Sequence, residues 1–351
     1  MEFVHSKPAR CQRDVPTPHL AVDVVYSWKR SPNMSITALQ RFAGSPELAA
    51  SMVGEILIAQ CVRGHEAVAR LYPAFLTDTG CREAQRNTLI LIPGLRSRPW
   101  WTVSEVPLAA ELESLWPQLQ EELAAGIARM RLEPYHQVDS PFLDRDHWYA
   151  ANLLIPGWSE RPYAHLFPKL LRALAQTPEL AEVVAVSRLE PGGHIAPHCG
   201  PWNVRLMIHL GISVPGACRI RVRRESRRWR VGGCLVFDDS FEHECWNTDT
   251  QTRTVVLLNI WHPDLTLVER EILTAISRIR GGVYWQDHSC GTDPARQQAG
   301  TLQRFERFIA LAGPGDTTGV WPAPLAPPAG WRPITTAMCA TDCLSWIQAR
   351  G

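Results

Sequence analysis

The sequence predicts an α+β fold: a jelly-roll or cupin-like double sheet of short antiparallel strands, backed by helices and flanked by a helical N-terminal and a mixed C-terminal extension. Three observations carry this. From Val183 onward apolar residues recur at every second position in short runs. The turn signals EPGG, VPGA, VGG, DDS and NTDT separate those runs. Upstream, a long stripe of leucines recurs at steps of three and four, the period of a helix lying on a sheet.

Taken in order, residues 1–32 are rich in Pro and charge and read as an irregular lead-in. Ser45 suits a helix cap and Pro46 a first turn, and Leu48, Met52, Val53, Ile56 and Leu57 then fall on one face. A second helix is expected from about Gly64 to Phe75. Asn87 to Ile92 (NTLILI) reads as a strand ended by Pro93-Gly94. After the RPWW run, Leu108, Leu112, Leu115, Leu119, Leu123, Ile127 and Met130 mark a long helix, interrupted at Pro117 without a change of buried face. Trp148 to Ile155 reads as a strand and Pro162 to Ala175 as a helix broken near Pro168.

Six strands are then expected: Val183 to Leu189, Val204 to Ile212, Cys218 to Arg223, Cys234 to Phe237, Phe241 to Trp246 and Thr252 to Ile260. A helix from Leu267 to Ile279 leads to a Gly- and Pro-rich tail whose Trp285, Trp321, Trp331 and Trp346 favour burial. The expected division is an N-terminal helical extension at 1–85, the double-sheet domain at 86–265 and a helix with a Pro/Trp-rich extension at 266–351.

Composition narrows the function classes. With 36 basic and 35 acidic residues in 351, no global field recruits nucleic acid or membrane. No signal-like start and no span of ~18 apolar residues is present, so a cytoplasmic protein is expected. Ten cysteines are scattered from Cys11 to Cys343 without CxxC pairs, which fits reduced thiols rather than a disulfide framework or structural zinc.

Chemistry concentrates between Ser187 and Pro263. An oxygen-activating iron site classically takes two His and one carboxylate on one face. His198 and His243 are 45 positions apart, but position 200, where the carboxylate would stand, is Gly. Arg205, Met207 and His209 share one strand face by alternation. Arg253 lies across one turn from His243, where its fork suits a carboxylate, and Ser187 is in phase with Val183, Ala185 and Leu189 to add a hydroxyl. Spacing alone leaves two readings of these side chains: a metal site, or packed and solvated residues. Asp238 and Asp239 read as turn residues, as does His194, and Cys199 is a poor ligand beside two histidines. Seven arginines between Arg219 and Arg230 read either as a lure for an acidic peptide or as a solvated edge strand.

The segments PHCGPWNVRLMIHLG, FDDSFEHECW, Arg253 and NIWHPDL resemble the aspartyl/asparaginyl β-hydroxylase family, a branch of the 2-oxoglutarate and Fe(II) dependent oxygenases. The resemblance covers Val183 to Leu265 best and reaches back to about Arg98. It implies a double-stranded β-helix and a dioxygenase that uses Fe(II), 2-oxoglutarate and O2 to hydroxylate the β-carbon of an Asp or Asn residue in a peptide or protein. It implies His198 and His243 as iron ligands, with Gly200 agreeing with the family's missing carboxylate. It places His209 and Arg253 on the two carboxylates of 2-oxoglutarate, with Ser187 beside Arg253, and Arg205 near substrate and co-substrate. Where the family carries a second arginine this chain has Met207, which weakens recognition of a free substrate carboxylate. Hydroxylation of an acyl chain or free small molecule, and a non-catalytic scaffold on the same fold, are the alternatives.

Overall fold

The computed structural model describes residues 38–76, 85, 89–135, 147–154, 162–178, 180–284, 305–313 and 317–350. The lead-in expected at 1–32 and Trp285 lie outside them. The chain begins with helices α1 (Ala38–Ala43) and α2 (Pro46–Arg63). Ser45 caps α2, its Oγ accepting from the Leu48 N–H at 3.3 Å, and Gly64 ends the helix at φ +87°. The second expected helix is divided into a 3-10 turn (His65–Val68) and α3 (Leu71–Leu76).

Leu89 to Ile92 do not form the expected strand, while Asn87 and Thr88 lie outside the described residues. The Leu89 and Ile90 N–H groups both donate to the Pro201 carbonyl, and both backbone groups of Ile92 bond to the Asn203 side-chain amide at 2.8 and 3.0 Å. The segment's polar groups are thus satisfied without a ladder.

Next come β1 (Trp100–Trp101), α4 (Pro107–Arg129), β2 (Glu133–Pro134), β3 (Trp148–Leu154), α5 (Pro168–Leu174) and β4 (Leu180–Leu189). They are followed by β5 (His194–His198), β6 (Arg205–Ser213), β7 (Cys218–Val222), β8 (Glu225–Arg227), β9 (Cys234–Phe237), β10 (His243–Asn247) and β11 (Arg253–Trp261). β5 and β8 were not foreseen. His194 begins β5 instead of making a turn, and it pairs with Glu244 at 2.9 Å.

Seven strands form one antiparallel sheet in the order β1-β9-β6-β11-β4-β3-β2, and four form a second in the order β5-β10-β7-β8. Period two then assigns every side chain of the central strands. Leu206, Ile208 and Leu210 of β6, Val256, Leu258 and Ile260 of β11, and Val184 and Val186 of β4 pack under the leucine stripe of α4. On the opposite face Leu189, Val255, Met207 and Phe237 meet Ile195, Ile220, Val222 and Cys245 of the small sheet. The space between the sheets is where the odd-numbered polar residues point.

After β11 run α6 (Leu267–Tyr284), β12 (Phe308–Ala312), β13 (Thr318–Pro322), β14 (Arg332–Pro333) and α7 (Ala340–Gln348). The tail's strands form a third sheet, β13-β12-β14, with Trp321 and Trp331 buried as expected and Trp346 half-buried. Helices α1 to α3, α6 and the strands β12 and β13 share one apolar cluster with Trp202, Val204 and Trp261. No helix among the described residues is long and apolar enough to cross a membrane.

His262, next to β11, ties this body to the large sheet. It is fully buried, its Nε2–H donates to the Arg96 carbonyl at 3.1 Å, and its Nδ1 accepts from the Asp264 N–H at 3.2 Å. Both ring nitrogens are satisfied only in the neutral form, and burial lowers the pKa. The unfolded chain takes up this proton below about pH 6.5 and the folded chain only at lower pH. Stability from this group is therefore complete above about pH 6.5 and falls toward the folded value by at most ~1.4 kcal/mol per pH unit. Urea titrations at pH 7.5 and 5.5 should show that loss, and His262→Gln should show a shallower one.

Candidate active site

The small sheet brings two histidines together by strand pairing alone. β10 runs antiparallel to β5 with His243 directly opposite His198, and their ring centroids lie 4.1 Å apart. Each ring is held by its own strand: His198 Nδ1–H donates to the Ala196 carbonyl at 2.8 Å and His243 Nδ1–H to the Phe241 carbonyl at 2.9 Å. A carbonyl only accepts, so both Nδ1 atoms carry the proton and both Nε2 atoms carry a lone pair. Burial lowers both pKa values; at His243 the neighbouring His198 adds to it, and at His198 the Ala196 carbonyl and Asp239 oppose it. Two neutral imidazoles with fixed tautomers are metal donors in waiting.

Position 200 shows why no third ligand stands beside them. A Cβ on Gly200 would fall 2.6–2.7 Å from the carboxylate of Asp239, whose carbonyl also accepts from the Gly200 N–H. Asp239 Oδ2 accepts from Arg205 Nη2 at 3.0 Å, while its buried Oδ1 has no hydrogen-bond partner. The DDS run forms the expected turn at Asp239 and Ser240, and Asp238 alone caps it with its side chain. Asp238 Oδ1 accepts from the N–H and Oγ of Ser240 at 2.9 and 2.5 Å, and burial pushes its carboxyl up to about 7. Asp239 instead turns toward Gly200 and Arg205. Among the described residues no cluster of three or more His, Cys, Asp or Glu is placed to hold a metal.

From the large sheet, His209 of β6 and Arg253 of β11 enter the same space. His209 Nδ1 accepts from the Trp229 indole N–H at 3.4 Å, which leaves the proton on Nε2 as a donor. Burial, reinforced by the Arg253 charge, lowers its pKa to about 3, so it stays neutral. Phe237 touches both rings, at 5.0 Å from His209 and 5.6 Å from His243. Arg253 is 1 % exposed and has no carboxylate partner among the described residues. Its Nη1 donates to Ser187 Oγ at 3.4 Å, its guanidinium lies 5.1 Å from the Trp229 ring, and its Nε has no partner. Trp148, stacked on Tyr135, donates its indole N–H to the same Ser187 oxygen at 3.0 Å. Met207 and Asn259 face each other across β6 and β11, with Asn259 Nδ2 3.6 Å from the Met207 sulfur.

The structure thus gathers Ser187, His198, Arg205, His209, His243 and Arg253 between the sheets, with His209 and Arg253 linked through Trp229. Asp239, Trp148, Trp229 and Asn259 were not foreseen; the nearest signal was Trp229, a lone aromatic inside an arginine run. The residues present fit a divalent cation beside a dicarboxylate: two lone pairs for the metal, a neutral N–H donor, and a buried cation in need of an anion.

Residues 113–263 match the model of the aspartyl/asparaginyl beta-hydroxylase family. The chain is 33% identical over 201 residues to the human aspartyl/asparaginyl beta-hydroxylase, covering 54% of this chain and 26% of that protein. It is 32% identical over 176 residues to an ornithine lipid ester-linked acyl 2-hydroxylase of Rhizobium tropici, covering 48% of this chain and 62% of that one. The chain therefore spans about a quarter of the human relative's length. A solved 2OG-Fe(II) oxygenase family oxidoreductase from Burkholderia pseudomallei overlaps 50% of this chain and 98% of that chain at 14% identity and a TM-score of 0.31, too loose a likeness to inform the site.

Arg253 is a buried cation with no carboxylate partner among the described residues. Holding a lone charge out of water is costly, so an apolar side chain of similar length offsets the loss of the Ser187 and Trp229 contacts when nothing is bound. Arg253→Met should therefore melt no lower than wild type without added ligands. A clear loss of thermal stability would mark the guanidinium as structural.

Proposed function

We propose, from the match of residues 113–263 to the aspartyl/asparaginyl beta-hydroxylase family, that this protein is a dioxygenase using Fe(II), 2-oxoglutarate and O2 to hydroxylate an unactivated carbon, the β-carbon of an Asp or Asn residue in a peptide or protein. The observation that carries it is the buried guanidinium of Arg253, without a carboxylate partner among the described residues, linked through Trp229, His209 and Phe237 to the neutral His198 and His243 pair. His198 and His243 would hold the iron through Nε2. His209 would donate its Nε2–H to the 1-carboxylate of 2-oxoglutarate, and Arg253 with Ser187 would take the 5-carboxylate. Bound iron and 2-oxoglutarate supply the oxygen activation, with succinate and CO2 as co-products.

The chain's own residues then divide the work. Phe237 and Trp229 wall the pocket against water around His243 and His209. Arg205 holds Asp239 beside Gly200, which places one acceptor oxygen, Asp239 Oδ1, next to the iron-binding imidazoles where it can orient a water or a substrate N–H. Met207 and Asn259 leave the adjoining wall uncharged. That neutral wall, together with the similarity to the Rhizobium tropici acyl 2-hydroxylase, favours a second reading in which the hydroxylated carbon belongs to an acyl chain.

Anaerobic titration with iron and 2-oxoglutarate should produce a visible charge-transfer band in wild type. His198→Ala and His243→Ala should lose iron, the band and turnover. Arg253→Met should keep iron but weaken 2-oxoglutarate at least thirtyfold, about 2 kcal/mol or more. Retention of the band in either histidine variant, or unchanged 2-oxoglutarate affinity in the arginine variant, would contradict the assignments. Mass spectrometry after turnover, seeking one added oxygen in Asn and Asp peptides or in acyl substrates, separates the two readings.

A further inference from the structure

The arginine-rich segment is a hairpin whose basic residues are not equivalent. Arg221 is consumed inside the small sheet, bonded to Glu244 and, at 3.2 Å, to Glu242. Arg227 donates to Glu225 at 2.7 Å and lies 4.3 Å over the Trp100 ring. Arg230 pairs with Glu113 at 3.0 Å, and Arg219 turns back onto the carbonyls of Gly216 and Cys218. Arg223 and Arg224, the two residues of the turn between β7 and β8, are exposed and, like Arg228, have no carboxylate within ion-pair distance among the described residues; the Arg223 guanidinium lies 5.9 Å from the Phe241 ring.

Arg223 also stands where a glycine would be at ease, at φ +58°. Hairpin turns place Gly or Asn at such positions, and a long L side chain there costs of order 1 kcal/mol. An observed strain of this kind is a reason to ask what the side chain does. The two arginines border a cavity of ≈250 Å³ lined by Pro99, Trp100, Val222, Arg223, Arg224 and Glu225. Trp100 is nine-tenths buried, and its indole N–H has no hydrogen-bond partner. Glu225, the one acidic group of the lining, is already neutralised by Arg227. The cavity therefore offers, at its rim, two cations with no carboxylate partner among the described residues, and apolar surface from Pro99, Trp100 and Val222.

Its position relative to the candidate active site is set by pairing. Val222 is the direct cross-strand partner of His243. Trp100 meets Phe237 at 5.7 Å, and Phe237 meets His243 at 5.6 Å. Directly paired residues are about 5 Å apart, and an extended peptide advances about 3.3 Å per residue.

We propose that this cavity binds the carboxylate of an acidic side chain on the peptide being hydroxylated, roughly two to four positions from the reacting residue. The proposal rests on the hydroxylase reading above and adds the substrate's chemical class: an acidic peptide whose carboxylate is taken by Arg223 and Arg224. Arg205 is not available for this task, because Asp239 already holds it.

The test uses the full chain loaded with iron and 2-oxoglutarate under nitrogen, so that peptides bind without turnover. Two fluorescein-labelled peptides centred on Asn serve as probes, identical except for Glu or Gln three positions away. Fluorescence anisotropy at low salt should show the Glu peptide binding at least tenfold more tightly than its Gln twin. The variant Arg223→Gly/Arg224→Gln, which relaxes the turn rather than straining it, should bring that ratio near one with 2-oxoglutarate affinity unchanged. A ratio near one in wild type, a preserved ratio in the variant, an equal loss for both peptides or no binding of either would each overturn the proposal. The charge-transfer band reports the iron and 2-oxoglutarate sites independently, so its persistence alongside a failed peptide test would spare the hydroxylase reading.

Discussion

Register across β4, β11 and β6 is the constraint on which the molecule depends. Arg253 is opposite Leu189 on β4, and Leu257 is opposite His209 on β6, so the polar side chains of three strands reach one space while their neighbours enter the core beneath α4. A slip of one residue in any of these ladders would send Arg253 or His209 into the helix layer and Val256 or Ile208 into the mouth. The apolar cluster under α4 therefore enforces the site's geometry, although none of its members touches the chemistry. Hydrophobic burial sets the register, and the register sets the charges.

Within that frame the polar groups of the pocket fall into two kinds. His198 and His243 are held by carbonyls of their own strands, and Asp238 is saturated by Ser240, so these groups are settled within the chain. Arg253 Nε and Asp239 Oδ1 are buried without partners among the described residues, one cationic and one anionic, and each is costly where it stands.

The fold was legible wherever period and punctuation agreed. Every strand expected between Val183 and Ile260 forms within a few residues of its expected bounds, because alternation and Gly, Pro and Asp turns point the same way there. The failures have physical causes. NTLILI has strand composition, but its described part spends its hydrogen bonds on Pro201 and Asn203, and composition does not reveal a side chain standing in for a strand. β5 contains Pro197 and two histidines and lacks alternation, and it became a strand only through pairing with β10. At the site, spacing alone left the six singled-out residues open to two readings; the strand pairing brings His198 opposite His243, and Trp229 joins His209 to Arg253. Asp239 sits in the expected turn, but its approach to Gly200, 39 positions away, is a relation that only the folded chain displays. Trp148 and Trp229 reach Ser187 and His209 from outside the β4, β6 and β11 trio, and nothing local marks them.

One arrangement described above bears on how the molecule is made. The apolar cluster that joins α1, α2 and α3 to β12 and β13 unites segments more than two hundred residues apart, and Trp202, four positions after His198, belongs to it. On a ribosome the early helices would emerge with their oily faces bare and wait for the late strands before closing. Contacts of such long range fold slowly and expose sticky surface meanwhile, so this chain is a natural client for chaperones during synthesis.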